Sequence, residues 1–261
     1  MSHSDEPRWG SDMWEAPPPT DLAAGWQGPP LITTKPYVPG RVPWTWRNVL
    51  IGTIIAMAPE ALLGLVGVFV SDDTNHAKVT AASAAAIVVL TVIIDAWLVA
   101  WAWRFSLRAY SMKLSAWGYR HVGASVFWVV PTALFSVYVV AFVHDVIVHP
   151  PQQVVVSAFP HSTAGLILFV ALACIVAPFA EETFFRGFVF QGLAHSWGPV
   201  WGAVASAAFF AAVHLQLTVF IPLFALGLAL AWVFHHTRSL WASIILHMVF
   251  NAIAVLAWAV G

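Results

Sequence analysis

The stretch Ala180-Glu181-Glu182-Thr183-Phe184-Phe185-Arg186-Gly187 decides how this chain is read. It closes an apolar run that extends from Leu166 to Phe179. Two carboxylates and a guanidinium at the end of such a run are costly near lipid and need a reason to be there. On a helix, Glu182 and Arg186 are four residues apart and share a face, with Glu181 about 100° round the axis. Pro178, just ahead, removes a backbone hydrogen bond and predicts a kink. A kinked membrane helix presenting Glu-Glu-x-x-x-Arg points to a buried polar chamber.

The surrounding composition fixes the class. Of 261 residues, 60% are hydrophobic and only 9% charged, against about a quarter charged in an ordinary soluble domain. The expectation is an all-α, polytopic transmembrane bundle. A net charge of -1 gives no basis for nucleic acid as a partner; the bilayer is the expected surrounding. Cys174 is the single cysteine, which excludes an intrachain disulfide and a cysteine-based metal cluster.

Spans of about 20 mostly apolar residues follow from Trp44 onward. They are expected at about Val49–Val70, Val79–Trp103, Val126–Val146, Ala164–Leu193, Val200–Leu215, Val219–Phe234 and Leu240–Val260. Seven spans result, or eight if Phe184–Leu193 forms a separate helix. The domain expectation is a proline-rich tail over 1–45, N-terminal helices over 46–160 and a catalytic core over 161–261. Nine of the 17 prolines precede Trp46, so the tail is expected to lack a packed core. Its Trp9, Trp14 and Trp26 are candidate contacts for a partner or a membrane surface. Residues 1–43 lack a basic start followed by an apolar core, so no cleaved leader is expected there.

Basic residues alternate between loops. Arg41 and Arg47 precede the first span; Arg104, Arg108, Lys113 and Arg120 follow the second; Arg238 lies between the sixth and seventh. The intervening loops hold only Lys78. Seven spans with this bias predict a multi-pass protein of the cell membrane with a cytosolic N-terminus. Trp44, Trp46, Trp101, Trp103, Trp197 and Trp201 flank spans, as interfacial aromatic belts do.

Two further polar pairs stand inside spans. Phe210 and His214 share a face of the fifth, and His247 and Asn251 share a face of the seventh. Counted along the helices, Glu181 lies about 18 Å from the cytosolic end of its span, His214 about 21 Å from the start of its own, and His247 about 10 Å from its own. Any one of these alone reads as a helix-to-helix hydrogen bond or a packed ion pair. Three together, with no comparable set elsewhere, point to a site. Glu60, next to Pro59, and Asp95 are single carboxylates without an evident partner and are read as structural. His144, Asp145 and His149 lack the His-Glu-x-x-His layout of a zinc protease helix. His235 and His236 lie at a cytosolic edge.

Glu181-Glu182-x-x-x-Arg186, Phe210-x-x-x-His214 and His247-x-x-x-Asn251, in this order and each on a helix, resemble the three motifs of the CPBP family. That family includes the type II CAAX prenyl proteases and bacteriocin-processing or immunity proteins. The resemblance covers about Leu166 to Val260. It implies an intramembrane endopeptidase acting on a membrane-associated or lipidated protein or peptide, with Glu181, Glu182, Arg186, His214, His247 and Asn251 as its catalytic set.

In that scheme Glu181 is the general base, Glu182 is held by Arg186, His214 orients the water, and His247 with Asn251 stabilises the oxyanion. No cofactor is required. A zinc version held by His214, His247 and a glutamate is the close competitor, because catalytic zinc takes three protein ligands and an open position. A Gly-x-Ser-x-Gly nucleophile and a paired aspartyl dyad are both absent. A non-catalytic scaffold or immunity protein regulating a partner is the alternative from another class. A transporter is less well supported, since the two halves show no internal repeat.

Overall fold

The computed structural model of the chain describes residues 42–70, 81–149 and 163–260. Among the described residues there are only helices and turns. We number the seven long helices α1 (Trp46–Val70), α2 (Ala81–Phe105), α3 (Val126–Val148), α4 (residues 163–197), α5 (Pro199–Val213), α6 (Phe220–Thr237) and α7 (Leu240–Val260). Short 3-10 turns at Leu114–Trp117 and Leu217–Val219 complete the chain path. Stretches of α2, α3, α4, α6 and α7 are long and apolar enough to cross a membrane, and α5 is a shorter apolar helix. The protein is a helical, multi-pass membrane bundle.

Large apolar side chains point outward along several helices. Phe127, Phe135 and Phe142 on α3 and Ile51 and Ile54 on α1 are all exposed on the outside of the bundle. In water such a surface would be a liability, whereas hydrocarbon takes it without cost.

α4 is the axis of the molecule and packs against α1, α2, α5, α6 and α7. It runs unbroken past the two glutamates to Trp197, so Phe184–Leu193 is not a separate helix. Two segments of α4 are wound wider than an α-helix, with i→i+5 bonding, at Leu172–Val176 and Thr183–Phe190. Such π-turns often mark functional sites.

The first π-turn has a local cause. Ala177 N–H reaches back to Leu172 O, which sets the wider register. In that register the donor for Ala173 O would be residue 178, and Pro178 has no N–H. The side chain of Asn251 on α7 fills the gap, its Nδ2 donating to Ala173 O at 2.7 Å. The kink expected from Pro178 is thus a widened turn bonded to a neighbouring helix.

The second π-segment is buried over all eight residues. Side-chain donors converge on its carbonyls: Trp44 Nε1 on Phe188 O at 3.0 Å, Gln191 Nε2 on Gly187 O at 2.8 Å and Ser206 Oγ on Phe185 O at 3.3 Å. These bonds satisfy backbone acceptors that lie away from water.

The turn from α4 to α5 is made by Gly198 at φ +82, followed by Pro199 in the first helical turn. A side chain at that φ would be strained, and proline at a helix start loses nothing by lacking its N–H.

Two expectations need correction. Trp44, expected in an interfacial belt, is fully buried and bonded to α4. The tail expected over 1–45 ends earlier, since Val42 and Trp44 belong to the core. The rest of the tail, including Trp9, Trp14 and Trp26, and the loop holding Lys78 lie outside the described residues.

Candidate active site

Glu182 is the fixed point of the site. It is 0% exposed, as is Arg186 one turn on. Arg186 Nη1 donates to Glu182 Oε1 at 2.9 Å, and Nη2 donates to Gly227 O on α6 at 3.0 Å. The guanidinium also lies 4.8 Å from the centroid of Phe210, a cation–π contact from α5. An ion pair sealed from water holds together only with such bonding, so its geometry is closely constrained.

Gly227 sets how close α5 and α6 come. A methyl there would stand 2.9 Å from Ala207 Cα, so only glycine lets α6 present its carbonyl to Arg186 at this depth.

His247 on α7 bridges the two acids. Its Nδ1 lies 3.1 Å from Glu182 Oε1, and its Nε2 lies 3.9 Å from Glu181 Oε2. Glu182 faces it as an acceptor, so Nδ1 carries the proton. Glu181 is partly open, with its side chain 24% exposed, while Glu182 is sealed. The adjacent carboxylates therefore occupy different surroundings, one buried in an ion network and one facing a cavity.

His214 caps the C-terminal end of α5. Its Nδ1 donates to Phe210 O at 2.8 Å, which leaves Nε2 as the acceptor nitrogen of a neutral ring. The ring of Phe210 stands edge-on to His214 at 4.9 Å and to His247 at 5.8 Å. One buried aromatic side chain therefore spaces both imidazoles and the arginine.

Glu181 and His214 open into a common cavity of about 220 Å³, walled by Met57, Leu98, Phe185 and Val213. Glu60 of α1 and Asp95 of α2 line the same cavity. The sequence reading set these two acids aside as structural, and the structure places them opposite Glu181. Their signal in the sequence was the ionisable side chain within a span; what the sequence lacked was the pairing of α1 and α2 over α4.

Asn251 has one amide N–H committed to Ala173 O. Tyr119 hydrogen-bonds Thr183, next to Glu182, and is a neighbour the sequence reading missed. The histidine set on α3 stands apart: His144 Nδ1 lies 3.3 Å from Asp145 Oδ1, with Asp145 largely exposed.

Both imidazoles have Nδ1 engaged, by Phe210 O and by Glu182, which leaves each Nε2 as the nitrogen turned toward the acids and the cavity. Among the described residues no three His, Cys, Asp or Glu side chains converge as metal ligands would.

Residues 163–253 match the family model described as "Type II CAAX prenyl endopeptidase Rce1-like". A Bacillus subtilis (strain 168) protein named "Putative membrane peptidase YdiL" is 27% identical over 89 residues, covering 34% of this chain and 36% of that protein. The alignment thus spans about a third of the relative's length. No solved structure matches the chain. The matched segment contains all three motifs and the helices that hold them, so the C-terminal part of this chain is similar to the type II CAAX prenyl endopeptidases of the CPBP family.

Proposed function

We propose that the protein is an intramembrane endopeptidase that hydrolyses a peptide bond in a membrane-associated or lipidated protein or peptide, with water activated by Glu181. The observation that carries this reading is the placement of His247 between the two acids while Glu181 and His214 share one cavity.

Water enters the cavity between Glu181 and His214. The free lone pair of His214 Nε2 accepts one water hydrogen and fixes its direction. Glu181 takes the other proton as the oxygen attacks the carbonyl carbon. The carbonyl oxygen becomes an oxyanion. The same proton then passes from Glu181 to the departing nitrogen as the C–N bond breaks, leaving an acid and an amine.

His247 has its Nδ1–H on Glu182, so it donates to the oxyanion only when Nε2 is also protonated. Glu182 is placed to hold that imidazolium. With Glu181 and Glu182 ionised and Arg186 and His247 charged, the four side chains sum to zero, which a low-dielectric interior favours. Asn251 retains a second amide N–H for the oxyanion.

The reading extends to a cell-membrane location with a cytosolic N-terminus, on the loop charges given above. Purified protein in liposomes, incubated with membrane-anchored peptides and read by mass spectrometry, tests the activity. Wild type is expected to cleave, and Glu181→Gln to lose about 10²–10⁴-fold in rate. Full cleavage by Glu181→Gln would remove Glu181 as base. Loss of cleavage in chelator with recovery in zinc would favour the metal version. A cellular phenotype that survives Glu181→Ala, with normal insertion, would favour the scaffold.

A further inference from the structure

The cavity beside Glu181 has two walls of different origin. Glu181 and His214 belong to the segment that matches the protease family, residues 163–253. Glu60 and Asp95 come from α1 and α2, outside that segment.

That wall is built, not incidental. Pro59 in α1 cannot donate to Ile55 O, its partner one turn back. Trp97 of α2 supplies the missing donor, with Nε1 on Ile55 O at 3.3 Å. The bond lies five residues from Glu60 on α1 and two from Asp95 on α2, so it ties the two acid-bearing levels together. Asp95 is only 9% exposed, and its Oδ2 has no hydrogen-bond partner among the described residues.

Three carboxyl groups and one imidazole thus face one small cavity, and no lysine or arginine lines it. Arg186 is engaged by Glu182 and Gly227 behind the wall and is fully buried. A buried carboxylate without a partner is costly, and a cation in hydrogen-bond reach removes that cost. At about 220 Å³ the cavity is below the usual 300–1,000 Å³ of small-molecule sites and suits a single side chain.

We infer that Glu60 and Asp95 form a specificity subsite for a basic side chain, lysine or arginine, next to the bond cleaved. This rests on the protease reading above. The substrate class is then a membrane-associated peptide with a positive charge flanking the scissile bond. Asp95 supplies the sealed end of the subsite and Glu60 the half-buried side.

The test uses the full chain in liposomes and a panel of lipid-anchored peptides in which one lysine replaces norleucine at each position in turn. Wild type is expected to favour lysine at one position by roughly tenfold or more in kcat/KM. Within Asp95→Asn, and within Glu60→Gln, the lysine-to-norleucine ratio at that position falls toward one. The ratio is internal to each variant, so a partial folding loss cancels.

Cleavage by wild type without any basic preference overturns the inference and leaves the protease reading standing. A preference that persists in both variants overturns it too. Should no peptide be cleaved, the protease reading is what fails, and binding decides the subsite separately. For this, a ketomethylene isostere of each peptide is titrated by fluorescence polarisation. Tighter binding of the lysine form to wild type, lost in Asp95→Asn, supports the subsite; equal affinity of the two forms overturns it.

Discussion

His247 Nδ1 donates to Glu182 Oε1 over 3.1 Å, and the same oxygen accepts from Arg186 at 2.9 Å. A single carboxylate oxygen therefore joins α4 to α7 and balances a guanidinium that is fully buried. Glu182→Gln leaves Arg186 without its counter-ion, and removing one partner of a buried pair costs about 3–5 kcal/mol. Glu181→Gln removes a partly open carboxylate whose Oε2 accepts no hydrogen bond and has only His247 Nε2 at 3.9 Å, so its cost in stability is clearly smaller. Thermal unfolding of both variants in detergent measures the difference. Equal losses would contradict the separate roles given to the two acids.

Asn251 compensates for Pro178. In Asn251→Ala the buried Ala173 carbonyl loses its donor, a cost of about 1–3 kcal/mol. Pro178→Ala restores a backbone N–H at the position that faces Ala173 O in the wide register. The double variant is therefore expected to be more stable than the sum of the single changes, with a coupling of about 1 kcal/mol or more. Strict additivity would mean that the side-chain bond does not replace a missing backbone bond.

Gly227→Ala places a methyl 2.9 Å from Ala207 Cα and forces α5 and α6 apart. Overpacking of this kind costs about 1–3 kcal/mol. It also moves the carbonyl that anchors Arg186, so turnover falls along with stability. Gly123→Ala is the control, because its nearest neighbour, Ser125 Oγ, is 3.9 Å away. A silent Gly227→Ala would show that the helix contact is looser than described.

Phe210 spaces three polar side chains without sharing a hydrogen bond through its ring. Phe210→Leu keeps an apolar residue there but lets both imidazoles shift. Misplacement by about 1 Å can cost on the order of a hundredfold in rate. The expected loss is in kcat, with KM little changed. A change confined to KM would assign Phe210 to substrate contact instead.

The fold class was open to reading because hydrophobicity is additive along a chain. Runs such as Val126–Val146 and Leu240–Val260 have few places to go except a membrane, and the helices occupy nearly those bounds. Glu182 and Arg186 were paired from spacing alone, because one helical turn brings i and i+4 together whatever else the chain does.

Other features were invisible for a matching reason. Trp44 sits at the edge of a span and reads as interfacial, but a cleft beside Phe188 takes its ring and indole N–H. Nothing local to the sequence describes that cleft. The bond from Asn251 to Ala173 joins residues 78 apart in sequence, through a π-turn that a 3.6-residue period does not anticipate.

The sequence by itself determined a helical membrane bundle and the three polar motifs, because burial of apolar length and helical periodicity are properties of contiguous residues. The tertiary structure alone decided that Glu60 and Asp95 share a cavity with Glu181, and that one acid is sealed while its neighbour is open. Those outcomes depend on which helices pack against α4 and at what depth, and side-chain fit between distant segments sets that, not spacing along the chain.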